Sequence, residues 1–338
     1  MTETQAQVVL LAHGDGGALT RELVEKVFLR HFANPALKEQ GDAAELPKKL
    51  GRLALTTDSF VVNPLFFPGG DIGKLAVYGT VNDLAVSGAR PEYLAASFLL
   101  EEGLELSVLN RVTASMADAC REAEVEIVAG DTKVVEREHL DQLFITTTGV
   151  GWLAEDSELG YRQIRPGDLV LVNGNLGDHG LAIIMSRYGL DLNEQIKSDC
   201  APLNHIIHQL LTSCHGIRFM RDLTRGGLAT AVKEVALAAS VDIWLVEEAL
   251  PVARAVRAGA DVLGLDPLYL ANEGKFLAIV AREEAEHALT VLKEHRLGRA
   301  AAVIGEVREG RGNAYLKTAL GGTKFLDLMA GAPLPRIC

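Results

Sequence analysis

The sequence predicts a two-domain protein of the layered α/β or α+β class. Its 338 residues exceed the usual size of one domain, and length alone favours about two. Strand-like and helix-like stretches of conventional length alternate along the whole chain. After Trp152 the polar run "AEDSELGYRQIRPGD", which contains the turn pair Pro166-Gly167, separates two such alternating halves. Taken by itself, this alternation favours parallel sheets.

The elements of the first half follow from hydrophobic periodicity. The stretch "ALTRELVEKVFLRHF" places Leu19, Leu23, Val27 and Phe28 on one helical face, whereas the polar "PALKEQGDAAELPKKLG", broken by Gly41, indicates a loop. Helices are also predicted for "GKLAVYGTVNDLAVSG" and "SVLNRVTASMADACREAEV". Strands are predicted for "QVVLLAH", "RLALTTDSFVV", "EYLAASFLLE", "VEIVAGD" and "QLFITTTGVGWL".

The second half repeats the same alternation. It begins with a strand, "DLVLVNG", and continues with helices "DHGLAIIMSRYG" and "NHIIHQLLTSC". The stretch "IRFMRDLTRGG" carries a strand into a glycine-rich turn before the helix "LATAVKEVALAAS", and the strand "VDIWLVEE" follows. The pattern then runs on through "ARAVRAGADVLG", "LYLANEGKFLAIVA", "EAEHALTVLKEH" and "AAVIGEVRE".

Composition restricts the class of function. The chain is 48% hydrophobic and 23% charged with a formal net charge of -12, and it has no cluster of Lys and Arg that would bind a nucleic-acid backbone. No stretch approaches the roughly 20 apolar residues of a membrane span, and the start has no basic segment before its short apolar run, so we expect a cytoplasmic protein. The cysteines lack CxxC spacing and predict neither a zinc site nor a disulfide framework; they are Cys120, Cys200, Cys214 and Cys338.

Carboxylates recur where predicted strands end. Asp58, Asp131 and Asp222 follow strand-like stretches, and Asp83 lies on an otherwise apolar helix, where burial of a carboxylate is costly unless a positive charge meets it. Mg²⁺ prefers hard oxygen ligands and commonly takes one or two carboxylates together with phosphates and water. The set therefore favours a metal-nucleotide site, although each Asp alone could serve as a turn or cap residue.

A glycine-rich stretch, "FFPGGDIGK", precedes a helix that begins near Lys74. Gly69 and Gly70 could let the backbone approach phosphates, and a helix N-terminus offers free N–H groups to an anion. It is not a Walker A loop, because Pro68 stands where the first glycine belongs and Leu75 follows the lysine. An ordinary glycine-rich loop is an equal alternative.

Two further stretches place polar residues beside glycines. "RDLTRGG" joins Asp222, Thr224 and Arg225 at a helix start and suits an anion, with simple capping by Thr224 as the alternative. "LANEGKF" places Glu273 in an apolar strand region, where it could act as a general base or mark a bulge. A dinucleotide fingerprint near the start fails, since Leu19 stands where the third glycine belongs.

The last stretch, "LMAGAPLPRIC", contains enough Gly and Pro to prevent a helix or a sheet strand. Eight extended residues from Gly331 could reach about 26 Å. The Cys338 thiol on such an arm could carry a group between sites, because its thiolate is nucleophilic and Arg336 favours ionisation while the α-carboxylate opposes it. A terminal cysteine without function is the alternative.

Together these motifs resemble the HypE family of hydrogenase maturation factors, within the ATP-binding superfamily of aminoimidazole ribonucleotide synthetase and selenophosphate synthetase. The resemblance runs over nearly the full length, through "LAHGDGG", "TDSFVVNPLFFPGGDIGKLAVYGTVNDLAVSGARP", "GDTKVV", "GDHG", "RDLTRGG", "ANEGK" and "PRIC". It implies a PurM-like architecture with mixed rather than parallel sheets. The expected parts are an N-terminal ATP-binding domain at 1–153 whose sheet pairs into a dimer barrel, a C-terminal α/β domain at 154–325, and a flexible tail at 326–338.

The same resemblance implies the reaction. Cys338 would be loaded with a carbamoyl group, which ATP-dependent dehydration converts into a thiocyanate, supplying cyanide ligands for the iron of [NiFe]-hydrogenase. Implied partners are the carbamoyltransferase HypF and a HypC–HypD complex that accepts the cyanide. Alternatives are a kinase or synthetase with a free small substrate and the tail as a lid, a nucleotide-responsive scaffold, and a nicotinamide-dependent dehydrogenase.

The resemblance also implies roles for individual residues. Cys338, Glu273 and Lys133 are the expected catalytic residues, with Glu273 and Lys133 handling the nitrogen proton and polarising the substrate. The expected ligands of Mg²⁺ are Asp58, Asp83, Asp131 and Asp222. The expected ATP-binding residues are these four together with Asp71, Lys74, Asn82, Thr132, Thr224 and Arg225.

Overall fold

The computed structural model describes residues 8–39, 43–190, 196–329 and 337. Two large sheets, one of four strands and one of seven, and a small two-stranded sheet make up the described β structure. The polar run after Trp152 lies between the two large sheets in sequence. Cys338 and most of the stretch "LMAGAPLPRIC" lie outside the described residues.

The first half builds a four-stranded sheet with helices on one face. Its strand order is β1-β6-β4-β5, antiparallel except for the β4/β5 pair. A π-helical segment, Val24–Phe28, joins the first two helices. The helices are α1 (Ala18–Leu23), α2 (Leu29–Phe32), α3 (Pro35–Glu39), α4 (Ile72–Val86) and α5 (Leu106–Ala123), and the strands are β1 (Arg52–Phe60), β2 (Phe66–Phe67), β3 (Gly70–Asp71), β4 (Arg90–Glu101), β5 (Glu126–Val135) and β6 (Leu143–Leu153).

Helix α4 lies at the centre of the molecule. It contacts α5 and the four-stranded sheet of the first half as well as α7 and β8 of the second half. Because neighbours surround it, nearly all of its side chains are buried, which explains why the stretch is apolar on every face. Asp83 is therefore carried into the boundary between the two halves.

The second half builds the seven-stranded sheet, in the order β13-β12-β9-β11-β7-β10-β8. Apolar clusters cover both of its faces, one including α8 and the other including α7 and α10. The helices are α6 (Asp178–Tyr188), α7 (Asn204–Ser213), α8 (Gly227–Ala239), α9 (Arg254–Leu263) and α10 (Ala285–Glu294), and the strands are β7 (Leu169–Val172), β8 (Ile217–Asp222), β9 (Val241–Val246), β10 (Phe276–Val280), β11 (Ala302–Glu309), β12 (Ala314–Lys317) and β13 (Thr323–Leu326).

Both sheets are mixed, which confirms the mixed α/β fold. Among the described strands, β9/β12 is the one parallel pair of the seven-stranded sheet and β4/β5 the one parallel pair of the four-stranded sheet. The parallel sheets that alternation alone favours are wrong, because alternation records which elements follow one another and not the direction in which neighbouring strands run.

Some predicted elements differ from the structure. The predicted strand "QVVLLAH" is wrong where the structure describes it: Val8 makes an isolated bridge, and Leu11–Gly14 is a 3-10 helix. Strands β12 and β13 were not expected from periodicity. Asp58 lies within β1 and Asp131 within β5 rather than after a strand. Among the helices in the described ranges, none is long and apolar enough for a bilayer crossing.

Candidate functional site

Three of the predicted carboxylates converge at the boundary between the two halves. Asp58 projects from β1 towards α4, where Asp83 lies, and Asp222 ends β8, which packs against the same helix. The Thr56 hydroxyl donates to Asp83 Oδ2 over 2.8 Å. Asp83 and Asp222 line a cavity of about 380 Å³. Strand alternation explains part of this arrangement, since Thr56 and Asp58 share a face of β1.

The three carboxylates share one electrostatic environment. Burial, followed by the charge of Asp83, raises the pKa of Asp58 to about 6, and the Arg225 guanidinium opposes the shift. Burial and the charge of Asp83 also raise the pKa of Asp222 to about 7, which the Thr224 hydroxyl opposes by a hydrogen bond. Such mutual destabilisation of negative charge favours a cation between these side chains.

These residues fit a magnesium ion that phosphate oxygens help to hold. In the described part of the chain, no group of three or more His, Cys, Asp or Glu side chains is spaced to hold a metal ion by itself. Mg²⁺ does not need such a cage, because it is usually bound by one or two carboxylates, waters and substrate phosphates. The carboxylate oxygens of Asp58, Asp83 and Asp222 are ligands of the type that this mode of Mg²⁺ binding requires.

Glu273 lies in the loop before β10, not in a strand, and faces the carboxylates from the second half. It is 2% exposed, and its Oε1 has no hydrogen-bond partner among the residues that the structure describes. Burial and the charge of Asp199, with smaller contributions from Asp222 and Asp58, raise its pKa well above the ordinary value. This shift favours the protonated form of the side chain, which can donate or accept a proton when the surrounding charge changes.

Two residues assigned to ATP instead have backbone partners in the structure. Asp71 caps α4, since its Oδ1 accepts from the N–H groups of Gly73 and Lys74 over 2.8 and 3.1 Å. Buried Asn82 donates to the carbonyls of Ala201 and Glu273 over 3.1 and 3.2 Å. Both side chains thus shape the site, and direct binding of a nucleotide by either one stays a prediction.

The stretch "RDLTRGG" brings its polar residues to the carboxylates. Arg225 is close enough to Asp58 to oppose the rise in its pKa, and Thr224 bonds Asp222. Helix α8 begins at Gly227 behind a glycine N-cap with positive φ and without a side-chain cap, so the alternative of capping by Thr224 is wrong. These positions suit contact with an anion held by the carboxylates.

Glycine in "FFPGGDIGK" meets a packing requirement. Gly69 has φ +94°, and a Cβ there would lie 2.5 Å from the backbone oxygen of Ser198. Gly70 would meet the ring of Phe67 at 2.8 Å. The structure therefore explains these glycines by close contact within the chain, while phosphate contact by this loop and by Lys74 stays a prediction.

Three predicted residues on β5 are not brought to the carboxylates within one chain. β1 and β5 are the two edges of the four-stranded sheet, three strand spacings or about 14 Å apart along the sheet. Register also places Asp131 opposite Ser97, on the face away from α4, whereas Asp58 faces that helix. Thr132 and Lys133 follow on the same distant strand.

Sequence reasoning missed a buried polar network beside Glu273. Lys275 Nζ lies 3.0 Å from Asp199 Oδ2, and both side chains are almost fully buried. Burial opposes ionisation of Asp199, but the Lys275 ammonium and the N–H of Glu273 bring its pKa below the ordinary value. His179, another member of the network, lies in the motif "GDHG" but was not among the predicted site residues. Asp199 lies in a stretch without hydrophobic periodicity, so the sequence gave no signal for it.

A larger cavity of about 720 Å³ lies elsewhere. Its lining includes His205, His208 and Arg218 on and beside α7, and none of the predicted site residues. We therefore place the candidate site at the smaller, carboxylate-lined cavity.

Comparisons with known families match most of the chain. Residues 40–153 match the family described as AIR synthase related protein, N-terminal domain. Residues 165–317 match the family described as AIR synthase related protein, C-terminal domain.

Individual relatives are similar over nearly their full length. Carbamoyl dehydratase HypE of Rhodobacter capsulatus is 48% identical over 333 residues, which cover 98% of each chain. A solved structure of HypE in complex with ATP superposes with a TM-score of 0.94 at 48% identity, covering 97% of this chain and 99% of that one. A structure of a HypE–HypF complex superposes with a TM-score of 0.80 at 45% identity, and the match covers 93% of this chain and 100% of that chain.

Proposed function

The chain belongs to the HypE carbamoyl dehydratases of the AIR synthase related family, and from this premise we propose that it dehydrates a carbamoyl group on its own Cys338. ATP drives the reaction, and the product is a thiocyanate that supplies cyanide for the iron of [NiFe]-hydrogenase. The observation that carries the proposal is the cluster of Asp58, Asp83 and Asp222 facing Glu273, whose pKa is raised well above its ordinary value and whose Oε1 has no hydrogen-bond partner among the described residues.

The chemistry needs an activated oxygen and a place for two protons. The thiocarbamate oxygen attacks the γ-phosphorus of ATP, ADP leaves, and the nitrogen loses one proton to give an S-bound imidoyl phosphate. Loss of the second nitrogen proton as the C–O bond breaks expels phosphate and leaves S–C≡N. The oxygen and both hydrogens of one water are thus removed from the carbamoyl group, with the oxygen ending on phosphate.

The residues divide these tasks by position. Glu273 is buried beside the carboxylates, where the arrival of a cation would lower its pKa and allow it to accept the nitrogen proton. Arg225 and Thr224 contact phosphate oxygens from the start of α8. Asp58, Asp83 and Asp222 would hold magnesium, which would neutralise negative charge on the triphosphate.

A second copy of the chain completes the site in this proposal. Leu53 and Leu55 are 63% and 67% exposed on the face of β1 that points away from α4. Pairing of two such sheets into a barrel would cover these side chains and would bring β5 of one copy towards β1 of the other. Asp131, Thr132 and Lys133 would then act in the site of the partner subunit.

The proposed partners follow from the relatives. A HypE–HypF complex has been solved for a protein 45% identical to this chain, which supports a carbamoyltransferase of the HypF type as the donor to Cys338. A HypC–HypD complex as the cyanide acceptor and a cytoplasmic location complete the proposal.

Mass spectrometry of the C-terminal peptide tests the function. Incubation with the carbamoyltransferase should add a carbamoyl group to Cys338, and ATP with magnesium should then remove the mass of one water. In Cys338→Ala, substrate-dependent phosphate release should vanish. Persistent release with a free small substrate would instead favour the kinase alternative, and ATP binding without any turnover would favour the scaffold.

A further inference from the structure

Ile337, the residue before Cys338, is held in the body of the protein. It is 5% exposed and belongs to the same buried apolar cluster as Phe67, Ile183 and Ala271. Its carbonyl oxygen lies 2.7 Å from Nε2 of His179, a side chain with no solvent exposure. The residue is thus fixed at two points, by an apolar side chain and by a backbone hydrogen bond.

The hydrogen bonds of His179 determine which ring nitrogen carries the proton. A carbonyl only accepts, so Nε2 must donate to Ile337. Nδ1 lies 2.8 Å from Ser198 Oγ, which accepts from the N–H of Cys200 over 3.1 Å and is free to donate its own proton to Nδ1. Burial lowers the pKa of His179, so the ring stays neutral with its proton on Nε2.

The segment that orients His179 also holds Glu273. Asp199, which follows Ser198, accepts from the N–H groups of Glu273 and Gly274 over 3.0 and 3.3 Å. Three consecutive residues, 198 to 200, therefore bond both the ring that holds the tail and the backbone of the predicted base. A shift of this segment would move both together.

We infer that His179 is a positioning residue that holds Ile337 through its backbone carbonyl, and that this latch controls how the neighbouring Cys338 reacts. This inference rests on the proposed function, because a latch matters only if Cys338 carries the reacting group. A buried carbonyl that loses its donor is costly, so removal of the latch should raise the fraction of undocked tail about 10-fold or more.

Alkylation of Cys338 by iodoacetamide, followed on the C-terminal peptide of the full chain without ATP, tests the latch directly. His179→Phe keeps a flat ring beside Phe67 but has no donor, and we expect alkylation about 10-fold or more faster than in the wild type. His179→Gln keeps an N–H at a similar reach and should restore slow alkylation. Equal rates in His179→Phe and wild type would overturn the inference.

Two further variants test whether faster alkylation of Cys338 results from loss of the latch or from general destabilisation of the fold. His287→Phe is the matched control, because its Nε2 also bonds a backbone carbonyl, that of Ser213 over 3.1 Å, but on exposed α10; its alkylation rate should equal the wild-type rate. Ile337→Ala changes only the tail and should speed alkylation even if His179→Phe fails to fold. An unchanged rate in Ile337→Ala would count against the latch.

Single-turnover dehydration of the carbamoylated protein separates the latch from the function. His179→Phe should form thiocyanate about 10-fold or more slowly, and His179→Gln should recover most of the rate. If no variant, wild type included, forms thiocyanate while the alkylation pattern holds, the proposed function fails and the latch remains. If wild type forms thiocyanate and alkylation is unaffected, the latch alone fails.

Discussion

Asp178 shows how the buried polar network sets the charge of single residues. It begins α6, next to His179, and burial together with the charge of Asp199 raises its pKa to about 6, while Lys275 opposes the shift. Lys275 and hydrogen bonds stabilise the negative charge of Asp199, whereas burial and the charge of Asp199 destabilise a negative charge on Asp178. The network therefore stabilises the charge of Asp199 and makes the charge that Asp178 carries above its pKa unfavourable.

We predict that Asp178→Asn stabilises the protein at pH 7.5 but not at pH 4. The folded-state pKa of about 6 lies above the reference value of 3.8, so the wild type loses stability as pH rises from about 4 to 6 and remains less stable above that window. The full loss is about 3 kcal/mol, which the neutral amide avoids. Urea unfolding at both pH values measures the difference, and an equal difference at both would contradict the prediction.

At the scale of elements, the site depends on an irregular segment held between two glycine contacts. Residues 198 to 200 pack against Gly69 of the loop before α4 and against Gly274 of the loop before β10. A Cβ on Gly274 would lie 2.0 Å from the backbone oxygen of Asp199. No side chain fits at that distance, so the glycine allows the loop with Glu273 to approach the segment.

We predict that Gly274→Ala destabilises the protein by about 3 kcal/mol, because the added methyl group must push two backbone segments apart. Gly322→Ala is the matched control: Gly322 is exposed, and its nearest neighbour is the end of the flexible Thr318 side chain at 3.2 Å, so we expect a change within about 0.5 kcal/mol. Neither Gly274 nor Gly322 has a positive φ, so backbone strain on replacement by Ala does not contribute to the difference between the two variants. Equal urea midpoints for the two variants would show that the contact with Asp199 is not restrictive.

At the scale of the whole molecule, the predicted catalytic pair is divided. Glu273 lies beside α4 at the boundary of the two halves, whereas Lys133 lies on the far edge of the four-stranded sheet, on the face that carries exposed Leu99. A chain acting alone has no described contact between these two residues. The proposed dimer resolves this separation by combining Glu273 of one copy with Lys133 of the other.

We predict complementation between two inactive variants. Glu273→Gln and Lys133→Ala, each inactive alone, should regain about a quarter of wild-type dehydration when co-refolded in equal amounts. Random pairing makes half of the dimers mixed, and each mixed dimer has one of its two sites intact.

The control for this experiment is a mixture of Glu273→Gln and Lys133→Ala homodimers that have not been allowed to exchange subunits, which should stay inactive. If the co-refolded Glu273→Gln and Lys133→Ala mixture also stays inactive although ultracentrifugation shows dimers, the two residues do not act across the interface.

The sequence by itself determined the class of fold, most of the elements and the identity of the carboxylates. The hydrophobic pattern placed β1, α4 and α5 correctly, because the buried positions of a strand or helix are occupied by apolar residues. The family resemblance added the mixed sheets. The stretch "RDLTRGG" and Glu273 could be singled out because polar residues next to glycines break an apolar pattern.

Only the tertiary structure decided which of these residues meet. Asp58, Asp83 and Asp222 come together because β1 and β8 both pack against α4, while Asp131 is kept away by strand order and register. The sequence did not indicate Asp199 or Ser198, because an irregular segment has no hydrophobic periodicity. Their importance comes from hydrogen bonds between residues far apart in the chain, and only the folded arrangement fixes such contacts.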